Sequence, residues 1–273
     1  MCATCGCGDD GATVTLPGHA HPHENGHHAE HSHDHSHPDD QPHAHPHTET
    51  VTLEQRVLAK NDELADRNRA WLAAHDIVAF NITSSPGAGK TTLLERTIRE
   101  LNPDRPVAVI EGDQETLLDA ERIRATGARA VQINTGAGCH LDAEMVHRAI
   151  RALDPEPGSI LFIENVGNLV CPAMFDLGEQ SKVVVISVTE GDDKPLKYPH
   201  MFAAARLVIV NKVDLLPYVT FDLEKCCSYV RSLNRDAQIL PMSAVTGEGT
   251  SQWHDWIADC AISATSPAPV DKP

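Results

Sequence analysis

The chain has 273 residues, with 22 Lys and Arg against 39 Asp and Glu, and a formal net charge of −17. That balance argues against a nucleic-acid or anionic-membrane surface, and no apolar stretch approaches the ~18 residues that a membrane span needs. With no signal-peptide pattern at the amino terminus, a cytoplasmic protein is expected, with one domain of ~200 residues plus extra segments. Eight cysteines in such a chain suggest metal ligation before disulfides.

Residues 1–50 differ in composition from the rest and are expected to form a disordered metal-binding tail, since little in them can be buried. Cys2, Cys5 and Cys7 cluster at its start. Three thiolates and a nearby α-amine can make a four-coordinate site, tetragonal for Ni²⁺ or tetrahedral for Zn²⁺. A CxxC redox pair is the alternative, although no βαβ unit surrounds this one. The histidines from His19 to His47 can buffer several divalent ions through imidazole nitrogens, or serve only as a solubilising linker.

Thr52-Leu53-Glu54-Gln55 reads as a capping box that opens a helix. Leu53, Val57, Leu64 and Trp71 fall on one face at helical spacing, beside Leu58, Ala65 and Leu72. This helix is expected to pack on a domain that spans 51–262, with 263–273 frayed.

The apolar run 77–82 reads as a buried strand, and 93–98 as a helix. Between them lies Ser84-Ser85-Pro86-Gly87-Ala88-Gly89-Lys90-Thr91-Thr92, with Ser84 where a first glycine is usual. Strand, glycine loop and helix N-terminus form a phosphate-binding loop. The backbone N–H groups of Gly87, Ala88, Gly89, Lys90, Thr91 and Thr92 cradle phosphate, Lys90 reaches the outer phosphates, and Thr91 holds Mg²⁺.

Strands follow at 107–111, 130–133, 160–164, 183–188, 207–210 and 238–240, with helices at 115–124, 142–153 and 222–233 and a last one at 251–260. The alternation predicts an α/β fold, a mainly parallel sheet covered by helices on both faces. Asp113 is the candidate for a second carboxylate near Mg²⁺, and Glu164 stands where an Asp usually ends its strand. Gly167 occupies the place of the loop that senses a γ-phosphate, and Cys171 is four residues beyond it. Cys139 and His140 precede the 142–153 helix. The three read as one metal site coupled to nucleotide state, against the alternative of two buried cysteines and a capping histidine. Cys226, Cys227 and Cys260 read as packing residues.

Asn211-Lys212-Val213-Asp214 ends the 207–210 strand and names the base. The Asp214 carboxylate can accept both N–H groups of guanine, an arrangement that adenine lacks. Ser243-Ala244 stands where a backbone contact to the guanine oxygen is expected. No glutamine is placed to orient water and no arginine finger is evident, so GTP hydrolysis is expected to be slow.

CATCGC, the histidine tract, SSPGAGKTT, IEGDQET, NTGAGCHLDA, ENVGNLVCP, SVTEGDDKPLKYP and NKVDLLP occur together and in order. In this set, from residue 2 to about 260, the chain resembles the HypB family, nickel-inserting GTPases of nickel–iron hydrogenase maturation. The resemblance implies a P-loop GTPase domain that forms a homodimer on GTP binding, with a metal site at the dimer interface. It also implies a HypA-type nickel partner and a hydrogenase large-subunit precursor as recipient. Cys2, Cys5 and Cys7 resemble the family's tight nickel site. Cys139, His140 and Cys171 resemble its second site, for nickel or zinc. The nickel GTPases of urease maturation and a nickel storage protein are the rival readings. The former would not be expected to carry CxxCGC or ENVGNLVCP.

Overall fold

A computed structural model describes residues 13–15, 47–101, 105–113, 118–136 and 138–265. Its sheet comprises β1 (Thr13–Thr15), β2 (Val78–Ser84), β3 (Val107–Asp113), β4 (Arg129–Asn134), β5 (Ile160–Gly167), β6 (Ser181–Ser187), β7 (Leu207–Asn211) and β8 (Gln238–Pro241). Across the sheet the order is β1-β4-β3-β5-β2-β6-β7-β8. β1 joins the β4 edge antiparallel, and every other pairing is parallel. The parallel strands match those expected from the sequence, most of them a residue or two longer. β1 was not anticipated, because three residues carry no periodicity to detect.

Strand β2 lies between β5 and β6, so the direction of winding changes beside it, and a crevice opens at the strands' carboxyl ends. All seven β2 residues are buried, which is why this strand reads as a continuous run with little alternation. The helices are α1 (His47–Ala74), α2 (Lys90–Glu100), α3 (Leu118–Arg124), α4 (Ala143–Leu153), α5 (Lys194–Lys197), α6 (Pro199–Ala204), α7 (Leu223–Leu233) and α8 (Thr250–Thr265). Asp142 and Asp222 cap α4 and α7 by accepting from the Met145 and Lys225 N–H groups.

On one face, Leu93, Leu94, Trp253 and Trp256 from α2 and α8 pack over Phe80 and Phe162. On the other, Leu72, Met145, Val146 and Ile150 from α1 and α4 cover Ile110, Ile133 and Ile163. These two layers fix the strand ends that carry the site.

Helix α1 departs from expectation in two ways. Its backbone is already helical at His47, so the Thr52–Gln55 box lies inside the helix instead of opening it. Its buried stripe is Asn61, Ala65, Asn68 and Leu72, while Leu64 and Trp71 are half-buried and Val57 is exposed. The surface beneath α1 is partly polar backbone, which asparagine satisfies and leucine cannot. Cys2, Cys5, Cys7 and most of the histidine tract lie outside the described residues, as do 114–117 and 266–273. Among the described residues no helix is long and apolar enough to cross a membrane.

Candidate nucleotide cleft and adjoining thiol cluster

A cleft of about 590 Å³ opens at the carboxyl ends of β2, β3 and β5, a size suited to a small-molecule ligand. Its floor is the loop from Ser84 to Lys90, from which α2 rises. Gly87 and Gly89 have φ of +75° and +99°, and Lys90 donates from Nζ to Ser84 Oγ at 2.8 Å. Ser84, placed where a glycine is usual, therefore holds the lysine. Asn211 at the end of β7 donates to the Ala88 carbonyl at 2.8 Å and accepts from the Ala244 N–H at 3.0 Å. Lys212 Nζ donates to the Gly87 carbonyl at 2.7 Å. Both residues, expected at the nucleotide, are engaged with the loop itself.

A Cβ added at Gly89 would lie 2.6 Å from Asn211 Nδ2. Gly89→Ala is therefore expected to lower stability by about 1–3 kcal/mol through the positive φ alone, and to weaken nucleotide binding by displacing Asn211. Thermal denaturation and nucleotide titration check this. Native values in both would refute it.

Acidic groups line the side of the cleft towards β3 and β5. Thr91 donates from Oγ1 to Glu164 Oε1 at 2.8 Å. Glu111 sits beside Glu164 in the β3–β5 register, and both are buried. One oxygen of each lacks a hydrogen-bond partner among the described residues. Burial first, and Glu164 next, push the Glu111 carboxyl up to about 9, and burial raises Glu164 against the pull of Lys90 and Thr91. Two buried carboxylates with orphaned oxygens beside a threonine hydroxyl fit a hard divalent cation. Asp113 lines the same wall.

At the base end, Asp214 stands on the turn Val213–Tyr218, its Oδ1 buried and without a hydrogen-bond partner among the described residues. The N–H groups of Ser243 and Ala244 are engaged by the Glu248 carbonyl and Asn211 Oδ1. Arg96 on α2 braces this loop by donating to the Ala244 and Val245 carbonyls at 2.6 and 2.8 Å.

Beyond the acidic wall, Cys139 Sγ lies 3.1 Å from Cys171 Sγ and 3.6 Å from His140 Nδ1, and all three ligand atoms fall within 4.8 Å of one another. The sequence places these residues 32 positions apart at most, and the fold brings them together. Phe175 packs on the His140 ring with centroids 4.0 Å apart. Cys139 and Asn168 line the nucleotide cleft, and Asn168 Nδ2 donates to the Cys139 carbonyl at 3.1 Å. Gly167 packs on Pro86 of the phosphate loop, where an added Cβ would meet Pro86 Cγ at 3.1 Å. Cleft and thiol cluster thus share a wall.

Residues 78–241 match the family described as CobW/HypB/UreG, nucleotide-binding domain. Hydrogenase maturation factor HypB of Escherichia coli K12 is 60% identical over 205 residues, 75% of this chain and 71% of that protein. The chain belongs to the HypB family. Among solved structures, HypB from Helicobacter pylori in complex with nickel has a TM-score of 0.72 at 36% identity, covering 77% of this chain and 98% of that one. HypB from Archaeoglobus fulgidus has a TM-score of 0.69 at 42% identity, covering 74% and 99%. HypB membership makes this chain a P-loop GTPase.

Three residues of this HypB-family chain received no role from the sequence, although Glu111 and Glu190 lie within quoted motifs. Glu111 is one, and its signal was an acid inside the otherwise apolar run 107–112. Glu190 is the second. It accepts from Ser85 Oγ and, at 3.1 Å, from the Ser187 N–H, so it braces the phosphate loop from β6. The third, Arg122, lines the cleft from α3, where Glu95 holds it at 2.6 Å and Asp119 at 3.0 Å.

Proposed function

We propose that this chain is a GTP-hydrolysing metallochaperone that binds nickel and delivers it to the large-subunit precursor of a nickel–iron hydrogenase. The observation that carries the reading is the shared wall: Asn168 lines the nucleotide cleft and holds the carbonyl of Cys139, one of three clustered metal donors. HypB membership and the nickel named with the Helicobacter pylori relative support it. Nickel is here the cargo, and the same three donors also suit zinc. Cys2, Cys5 and Cys7 make the tight nickel site of the 1–50 tail, ahead of the GTPase domain at 51–262. A HypA-type protein supplies the ion, GTP brings two copies together around the metal site, and the work is done in the cytoplasm.

The backbone from Gly87 to Thr92 and the N-terminus of α2 hold the phosphates, Lys90 offsets charge on the transferring phosphoryl group, and Asp214 selects guanine. Thr91, Glu164, Glu111 and Asp113 are the residues to hold Mg²⁺, which supplies further neutralisation of the outer phosphates. Gly167, packed on Pro86, registers the γ-phosphate and passes its presence along to Cys171. Hydrolysis is slow because Arg122 is held by acids and, among the described residues, no glutamine lines the cleft to orient water.

The test is titration of nickel and of zinc in the GDP and GTP-analogue states. Affinities should differ by about 5–150-fold, and metal must shift the GTP/GDP affinity ratio by the same factor. Cys171→Ala should erase the difference. Equal affinities in the native protein would favour storage over a nucleotide-timed delivery.

A further inference from the structure

The segments that carry Cys139 with His140, and Cys171, leave different strands, so the donor set exists only while they keep their separation. One face of α1 spans both. Ala143, three residues beyond His140, gives its N–H to Asn61 Oδ1 at 2.9 Å, and its carbonyl accepts from Asn68 Nδ2 at 2.8 Å. The Asp176 and Leu177 carbonyls, a few residues beyond Cys171, accept from the same Asn61 and Asn68 amides at 2.8 and 3.0 Å. Each asparagine thus joins the two metal-bearing segments through one planar group. Asn68 is wholly buried, and Asn61 is 5% exposed. The fit leaves no slack. Gly178 has φ +89°, and a Cβ there would lie 2.6 Å from both the Ala65 carbonyl oxygen and Asn68 Cβ.

We propose that α1 is a positioning clamp for the metal site: Asn61 and Asn68 set the separation at which one ion reaches Cys139, His140 and Cys171. The inference rests on the metal reading of that cluster. Loss of partners that orient ligands typically lowers metal affinity about 10–100-fold. If the asparagines only dock α1, their loss should change thermal stability and leave the metal untouched.

The reference protein is the full chain with Cys2, Cys5 and Cys7 replaced by Ala, so that the tail's thiols do not compete. Asn61→Ala and Asn68→Ala are made in it. Measured are Ni²⁺ affinity against a weak chelator, read from growth of the thiolate-to-nickel absorption band so that the tail's histidines do not contribute, the position of that band at saturation, and GTP affinity in the absence of metal. Nickel affinity should fall about 10–100-fold and the band should shift, while GTP affinity stays unchanged. Native nickel affinity with an unshifted band in the folded variants would overturn the clamp alone. Absence of tight nickel in the reference protein would overturn the metal reading as well. Should Asn68→Ala fail to fold, Asn61→Ala decides by the same readouts.

Discussion

Replacing Asp214 by asparagine is expected to weaken GTP binding by about 10²–10⁴-fold while leaving the fold intact. Each charge-assisted hydrogen bond is worth about 1.5–3 kcal/mol, and guanine offers two N–H groups to this one carboxylate. The buried, partnerless Oδ1 on the turn after β7 is where one of them would be received. Asparagine keeps the shape but turns one acceptor into a donor, which faces a guanine N–H. Xanthosine triphosphate, with a carbonyl in place of the exocyclic amine, should therefore bind the variant better than it binds the native protein. Isothermal titration with both nucleotides checks this. An unchanged GTP dissociation constant would remove the guanine assignment.

The second large effect is expected at Lys90. Its ammonium enters the cleft from the first residue of α2 and is held at Ser84 Oγ, 2.8 Å away. In Lys90→Ala the cation held at Ser84 Oγ is lost, while Lys212 stays engaged with the Gly87 carbonyl. Loss of one preorganised donor to a developing oxyanion costs about 10²–10³ in turnover, and GTP hydrolysis is expected to fall by that factor. Single-turnover phosphate release measures it. Hydrolysis at the native rate would refute the role given to this loop.

What the sequence made legible follows from how each element is stabilised. Strand β2, loop and α2 were readable because a buried strand, positive-φ glycines and a helix start each leave a local mark. The caps Asp142 and Asp222 fell at the expected helix starts for the same reason. The face of α1 was misread because apolar periodicity cannot weigh Asn61 and Asn68, whose partners lie 82 and 75 residues away on α4. Glu190 was quoted only within a motif, since the Ser85 hydroxyl it accepts from is 105 residues distant. Cys139, His140 and Cys171 could be grouped from their places in successive strand connections, but their 4.8 Å clustering is a property of the fold.

Asn211 ties the phosphate loop at Ala88 to the base loop at Ala244 with a single amide. On the proposed reading the two ends of a nucleotide would be met by one preorganised body, so little ordering entropy would be lost when the ligand arrives. GDP and GTP would offer this body the same groups up to the second phosphate, so only Lys90, placed by the proposed reading at the outer phosphates, would tell them apart from this side. On the proposed reading, the rest of the discrimination would fall to the opposite wall, where Gly167 packs on Pro86 and Asn168 reaches Cys139. Such a division would separate how tightly a nucleotide is held from what its last phosphate announces.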